Sequence, residues 1–261
     1  MTGSYYRRAG GSGAGDVVYE STDLTRSNWG QLQHGSPPLA LLTREIEGLI
    51  DGSGQRIARL SLDILGAIPV APVRVSARVQ RPGRRIALLE AEMFTCDDDR
   101  PVARLSAWAL ATADTTTVSS DRHAPLISGP SLPPPEWFAQ ASGYAHSVRW
   151  RVQQDAPDGS AIAWLSPQVH LVDGEPTTAL QRLAMVVDSA NGVGAALDVN
   201  EYVFMNTDTV VHLHRLPTGD DFGLRARASI GPDGVGVTTA ELFDHGGFVG
   251  TSAQALLVQR R

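Results

Sequence analysis

Apolar positions along this chain follow two periods, and the periods alternate in the same order twice. From Ser36 onward, Leu39, Leu42, Thr43, Ile46 and Ile50 recur at helical spacing. Ser36 is a good N-cap, Pro37 suits the first helical position, and Gly52 and Gly54 act as a stop. The period then falls to two. Val73, Val75, Ala77 and Val79 alternate with Arg74, Ser76, Arg78 and Gln80, and Pro82-Gly83 turns the chain. Arg85 to Thr95 reads as a strand, Asp97-Asp98-Asp99 as a turn, and Val102 to Thr112 as the last strand.

The second set follows the same plan. Leu180, Leu183, Ala184, Val187 and Asn191 occupy the helical phases of the first set at a constant offset of 141 (180 against 39), with Gly192 and Gly194 as the stop. Leu224, Ala226, Ala228 and Ile230 alternate with Arg225, Arg227 and Ser229. Gly231 to Gly234 is a turn, Val235 to Asp244 a strand, His245-Gly246-Gly247 a turn, and Phe248 to Gln259 a strand. Short strands are also expected around Val17–Tyr19, at Ser147–Gln153 and at Ala161–Leu171. The repeat shows in the letters too. Ala91-Glu92-Met93-Phe94 is echoed by Ala240-Glu241-Leu242-Phe243, and Ser106-Ala107-Trp108-Ala109-Leu110 by Ser252-Ala253-Gln254-Ala255-Leu256. The second echo aligns Trp108 with Gln254.

An apolar helix stripe needs a sheet to cover it, so each half predicts one long helix wrapped by an antiparallel sheet. The class is α+β, and a double hotdog fits, as would another α+β tandem. The expected boundaries are an N-terminal domain over 1–112, a Pro-rich linker over 113–140 that crosses the surface, and a C-terminal domain over 141–261.

Composition narrows the function classes. A net charge of −6 argues against a nucleic-acid or anionic-membrane partner. All 22 basic residues are Arg, so Schiff-base lysine chemistry is excluded, and any ligand phosphate must meet Arg or backbone N–H. Cys96 is the single cysteine, which leaves no internal disulfide and no Cys-based metal site. The first residues carry no apolar signal-peptide core, and no apolar run has membrane length, so a cytoplasmic location is the expectation.

Several segments together resemble the thioesterase-like superfamily, in particular the acyl-CoA thioesterase II (TesB-type) double-hotdog enzymes. They are Asp188-Ser189-Ala190-Asn191-Gly192, Phe204 to Asp208, His212 to Gly219, Ala240 to Asp244 and Gly250 to Gln254. In the first half, Trp29, His34-Gly35 before a helix, and Arg81 to Arg84 extend the likeness. The resemblance implies hydrolysis of a fatty acyl-CoA without a cofactor or metal, in a homo-oligomer. It also implies a water positioned by an Asp on the C-terminal helix, a Ser or Thr at the start of the next strand, and a Gln on the last strand. Asp188 and Gln254 match. The Ser/Thr position falls on Asn206, with Thr207 and Thr209 as neighbouring substitutes; Thr209 shares the alternation phase of Thr207.

The residue types fit that chemistry. Asp188 lies at the edge of a buried helix stripe, near a helix C-terminus that disfavours an anion, a position that suits a general base. The Gln254 amide can donate to a carbonyl oxygen and accept from a water. The turn His34-Gly35, before the first helix, is the expected oxyanion and substrate-binding site. Trp108 cannot accept a hydrogen bond and is expected to pack or to line the acyl pocket. Glu47, the phase counterpart of Asp188, reads as a solvated helix residue in an inactive half. Arg84, Arg85, Arg225 and Arg227 are candidates for CoA phosphates, though such alternating Arg positions read first as solvent surface.

Other chemistries fit less well. No G-x-S-x-G elbow is present, and Gly192-Val193-Gly194 follows a helix rather than a strand. The triple-Asp turn lacks the Gly and Glu of a calcium loop, and leaves Cys96 an inert neighbour. His212 and His214 share a strand face without an evident third metal ligand. Two other functions remain on the same fold: a non-catalytic acyl-binding protein, and an enoyl-CoA hydratase, against which the absence of a His between Asp188 and His212 counts.

Overall fold

The computed structural model describes residues 3–11, 16–28, 30–97, 99–133, 141 and 143–261. Trp29, Asp98 and the linker end at 134–140 lie outside them. In the first half the elements are β1 (Ser4–Gly11), β2 (Val17–Ser21), α1 (Ser36–Gly48), β3 (Gln55–Ile64), β4 (Pro72–Arg81), β5 (Ile86–Thr95) and β6 (Pro101–Ala111). After the linker come α2 (Tyr144–Ser147), β7 (Val148–Val152), β8 (Ala161–Pro167), β9 (His170–Val172), α3 (Ala179–Val187), α4 (Ala190–Val193), β10 (Tyr202–Asn206), β11 (Asp208–Leu213), β12 (Phe222–Ile230), β13 (Val235–Asp244) and β14 (Gly247–Arg260).

These strands form one sheet in the order β7-β8-β12-β13-β14-β11-β3-β6-β5-β4-β2-β1-β9, with β10 also paired to β14. The two halves meet in the antiparallel pair β3–β11, where Leu60 faces Val211 and Leu62 faces Thr209. The alternation does not single out β3, because a register shift between Ile57 and Arg59 interrupts its period.

The helices lie together against the sheet. In α1 every residue from Ser36 to Thr43 is buried, and in α3 nearly every residue is, so both helices are enclosed on all sides rather than on one stripe. They run antiparallel. The Glu47 carboxylate, at the end of α1, accepts from Thr178 Oγ1 (3.0 Å) and Gln181 Nε2 (2.7 Å) at the start of α3. Thr178 and Gln181 also form a capping box. Glu47 is therefore half-buried rather than solvated, and burial raises its pKa above the ordinary carboxylate value. The second helix is shorter than its apolar period suggests. It stops at Val187, Asp188 caps it, and a separate turn of helix, α4, runs to Val193.

Pairing registers fix which residues correspond between the halves. Leu89 pairs with Ala107, and Thr238 with Gln254. Ala91 pairs with Leu105, and Ala240 with Ser252. Both hairpins carry a bulge at the same place, after Met93 and after Leu242. The echo Ala91–Phe94 and Ala240–Phe243 is thus in register. The echo around Trp108 is not: Gln254 corresponds to Ala107. A slip of one residue reverses the face of every side chain. Gln254 points into the core, whereas Trp108 sits on the opposite face from buried Ala107 and Ala109.

The linker lies across the outer face of the C-terminal strands. His123 stacks on Phe248 at 3.6 Å and contacts Glu241 (2.8 Å), and Arg225 donates to Ala124 O (3.0 Å). Leu132 N–H donates to Val152 O (2.7 Å). Replacing Glu47 with Ala should remove two hydrogen bonds that join the helices and leave the Gln181 amide without this partner. The expected cost is about 1–3 kcal/mol, read as a fall in the midpoint of chemical denaturation at unchanged m-value.

Candidate active site

Asp188 is 3% exposed, at the point where α3 ends. Its Oδ1 accepts from Asn206 Nδ2 (2.7 Å), Gln254 Nε2 (3.1 Å) and the Thr209 hydroxyl. Gln254 Nε2 also reaches Asp188 O (3.1 Å) and Thr209 Oγ1 (3.0 Å). Because the Asp188 atoms only accept, the NH2 end of the Gln254 amide must face them. Gln254 Oε1 then points elsewhere, buried and without a hydrogen-bond partner among the described residues.

Asn206 and Thr209 both reach Asp188, while Thr207 is exposed and contacts Asp208. The phase that Thr207 and Thr209 share in the sequence is broken by a bend at Thr207, between β10 and β11. There the Asp208 carboxylate accepts from Ala255 N–H (2.8 Å), replacing a ladder bond that the bulge removes. The bulge turns side chains three positions apart to one face. With the corresponding shift in β3, between Ile57 and Arg59, the positions of Asn206, Thr209 and Gln254 are taken in the first half by Ile57, Leu60 and Ala107, none of which can hydrogen-bond through its side chain.

The other wall comes from the first half. A Cβ added to Gly35 would lie 2.5 Å from Asp188 Oδ2, so the close approach of these segments requires glycine. His34 Nδ1 is 3.6 Å from the same oxygen. It also accepts from Ser36 N–H (3.1 Å), which puts the proton of the neutral ring on Nε2. Burial lowers the pKa of His34, and the Asp188 charge opposes this in part. The contact between them is thus between a carboxylate and a neutral imidazole. Pro37 and Pro38 have no N–H, and the Ser36 N–H is taken by His34, which leaves the Gly35 N–H as the backbone donor at the start of α1.

Tyr144 is a part of the site that the sequence reading did not single out. Its ring stacks on His34 at 3.8 Å and 9°, and its hydroxyl lies 2.6 Å from Ser189 Oγ, 3.0 Å from Met185 O and 3.2 Å from Ser36 Oγ. It thereby ties the start of α1 to the end of α3. Its one sequence signal is the preceding Gly143, at φ +60°, where a Cβ would lie 2.5 Å from Arg26 O.

Of the other candidates, Trp108 is not among these contacts. Arg225 pairs with Glu241, Arg227 faces Asp158 at 3.8 Å, and Arg84 and Arg85 are exposed. His212 and His214 are both exposed but do not share a strand face, because β11 ends at Leu213 and His214 lies in the bend that follows. Among the described residues, no helix is long and apolar enough to cross a membrane.

The Gly35 contact predicts that Gly35→Ala inactivates the site and destabilises the fold by about 1–3 kcal/mol, since either Asp188 or the start of α1 must move. Activity and thermal unfolding measured on the same preparation check this. The neutral His34 sets a pH dependence. Its folded pKa lies below its unfolded value, so stability is lost as pH falls below about 6.5, where the unfolded state takes up a proton first, until the folded ring protonates too. His34→Gln should flatten that part of the stability profile.

Residues 25–110 match the sequence model of the acyl-CoA thioesterase N-terminal domain, and residues 121–258 that of the acyl-CoA thioesterase C-terminal domain. No curated protein matches the chain in sequence. Among solved structures, a protein from Novosphingobium aromaticivorans superposes with a TM-score of 0.74 at 18% identity, over 97% of this chain and 98% of that one. The acyl-CoA thioesterase II TesB2 of Mycobacterium marinum gives 0.68 at 12% identity, over 94% and 92%. A hot dog fold protein from Alicyclobacillus acidocaldarius gives 0.68 at 14% identity, over 95% and 94%. At these identities the structural likeness establishes a hotdog fold, and the two sequence matches establish the family: the chain belongs to the acyl-CoA thioesterases, enzymes that hydrolyse thioesters.

Proposed function

We propose that this chain is a double hotdog that hydrolyses a fatty acyl-CoA to the free acid and CoA at one site, with Asp188, Gln254, Thr209 and Asn206 in the C-terminal half and Gly35 and His34 from the first. The proposed halves are 1–112 and 141–261, joined by the linker 113–140. The observation that carries the reading is the division of labour between the two oxygens of Asp188. Three donors converge on Oδ1, which fixes the carboxylate in place. Oδ2 faces the His34–Gly35 segment, and Gln254 Oε1 is left as a second acceptor, without a partner among the described residues.

A water that donates its two protons to these acceptors aims a lone pair outward. Attack on the thioester carbonyl forms a C–O bond as Asp188 takes one proton, and the Gly35 N–H meets the developing oxyanion. Collapse breaks the C–S bond, and the proton held by Asp188 passes to the departing thiolate. His34, neutral and stacked under Tyr144, holds the Ser36 N–H and so the Gly35 turn. Thr209 and Asn206 share the role that a single Ser or Thr fills in the family pattern.

Trp108 is proposed to pack on the outer face rather than to touch the substrate. The enoyl-CoA hydratase alternative gains nothing from His34, whose accepting Nδ1 contacts a backbone N–H. A cytoplasmic location and assembly with further copies remain part of this reading, on family likeness alone.

The test is release of free thiol from a panel of acyl-CoAs. Asp188→Ala and Gln254→Ala should each lower kcat by about 100-fold or more, and Trp108→Leu by less than about threefold. Full activity in the first two variants would remove the assignment, and binding without turnover by the unsubstituted protein would favour an acyl-binding role.

A further inference from the structure

Three polar side chains line the inner face of the C-terminal hairpin beside the proposed site. Gln254 faces Thr238 across the β13–β14 pair, and Ser252 lies two residues from Gln254 on the same face of β14. All three are buried, with Thr238 at 0% exposure and Ser252 at 4%. Gln254 Oε1, Thr238 Oγ1 and Ser252 Oγ all lack a hydrogen-bond partner among the described residues. Leaving a buried hydroxyl unpaired is costly, and a strand position can be filled with Val or Ala at little change in volume.

The first half supplies the control. At the corresponding positions it carries Leu89, Leu105 and Ala107, all buried and all apolar. The same place in the same hairpin is thus packed with hydrocarbon in one half and lined with unpaired hydroxyls in the other. The fold does not require the hydroxyls.

We propose that Thr238 and Ser252 recognise an oxygen substituent, a hydroxyl or a carbonyl, on the acyl chain, so that the preferred substrate is an oxygenated acyl-CoA rather than a plain hydrocarbon one. This rests on the hydrolytic reading above. Each hydroxyl can donate or accept, so both substituents can be met. Thr238 stands about 5 Å and Ser252 about 7 Å from Gln254, by strand geometry. A group that meets them therefore sits within the first several carbons from the thioester. Gln254 Oε1 serves the attacking water, and the two hydroxyls serve the chain.

The experiment compares octanoyl-CoA with 3-hydroxyoctanoyl-CoA and 3-oxooctanoyl-CoA, on the full chain and on the double variant Thr238→Val/Ser252→Ala. The unsubstituted protein should favour at least one oxygenated substrate by about tenfold in kcat/KM, and the two oxygenated arms show which oxygen is preferred. In the double variant the ratio should fall to about one, through slower cleavage of the oxygenated substrate and faster cleavage of octanoyl-CoA. Its melting temperature should be equal or higher, since unpaired hydroxyls leave the core. A ratio near one in the unsubstituted protein, a ratio that survives the double substitution, or a melting temperature several degrees lower would each overturn the proposal. If none of the three substrates is cleaved, the hydrolytic reading falls first and takes this one with it.

Discussion

The interior of this protein is organised around a single carboxylate held at a helix end. Asp188 is buried where the backbone dipole disfavours a negative charge, and it is held there by hydrogen bonds from three side chains on three strands, β10, β11 and β14. Each of those side chains needs its own local device. The bulge at Thr207 turns Asn206 and Thr209 to one face, the end of α3 at Val187 frees the carboxylate from the helix, and β14 carries the one inward amide of its hairpin. Gly35 completes the arrangement from the other half, because no larger residue could approach Oδ2 so closely.

On the proposed double-hotdog reading, duplication explains why so much of this is paired. The carboxylates of Glu47 and Asp188 each end one helix and meet the start of the other, as antiparallel packing of two related helices requires. The first carboxylate settles on a helix cap, Thr178 and Gln181, and the first-half positions that correspond to Asn206, Thr209 and Gln254 are hydrocarbon. The second has no such cap opposite it: α1 begins with two prolines and a glycine. On the proposed reading, the difference between a structural and a chemical carboxylate lies in what the facing helix start offers, as much as in the residues beside it.

Much of this was legible in the sequence, because helical and alternating periods depend on burial and burial is symmetric in the two halves. Both helices and the hairpins β5–β6 and β13–β14 could be read directly, while the pairing of Asp188 with Gln254 came from the family resemblance. Register could not. The match of Ser-Ala-x-Ala-Leu is a match of letters, and the two turns differ in length, so it placed Trp108 one residue away from the true counterpart of Gln254. Bulges were equally silent, which hid β3 and misassigned the phase of Thr209. Tyr144 was invisible for another reason. It acts through a stack and three hydrogen bonds to residues distant in sequence, and no local pattern records them.

The linker has a mechanical consequence. A segment rich in proline that joins two similar halves suggests beads on a string, free to swing. Here its described part is fastened to the C-terminal strands by a stacked ring and several hydrogen bonds, and the halves are fused through β3–β11 into one sheet over one continuous core. The molecule therefore has no joint at its midpoint. The halves cannot part without breaking the β3–β11 ladder.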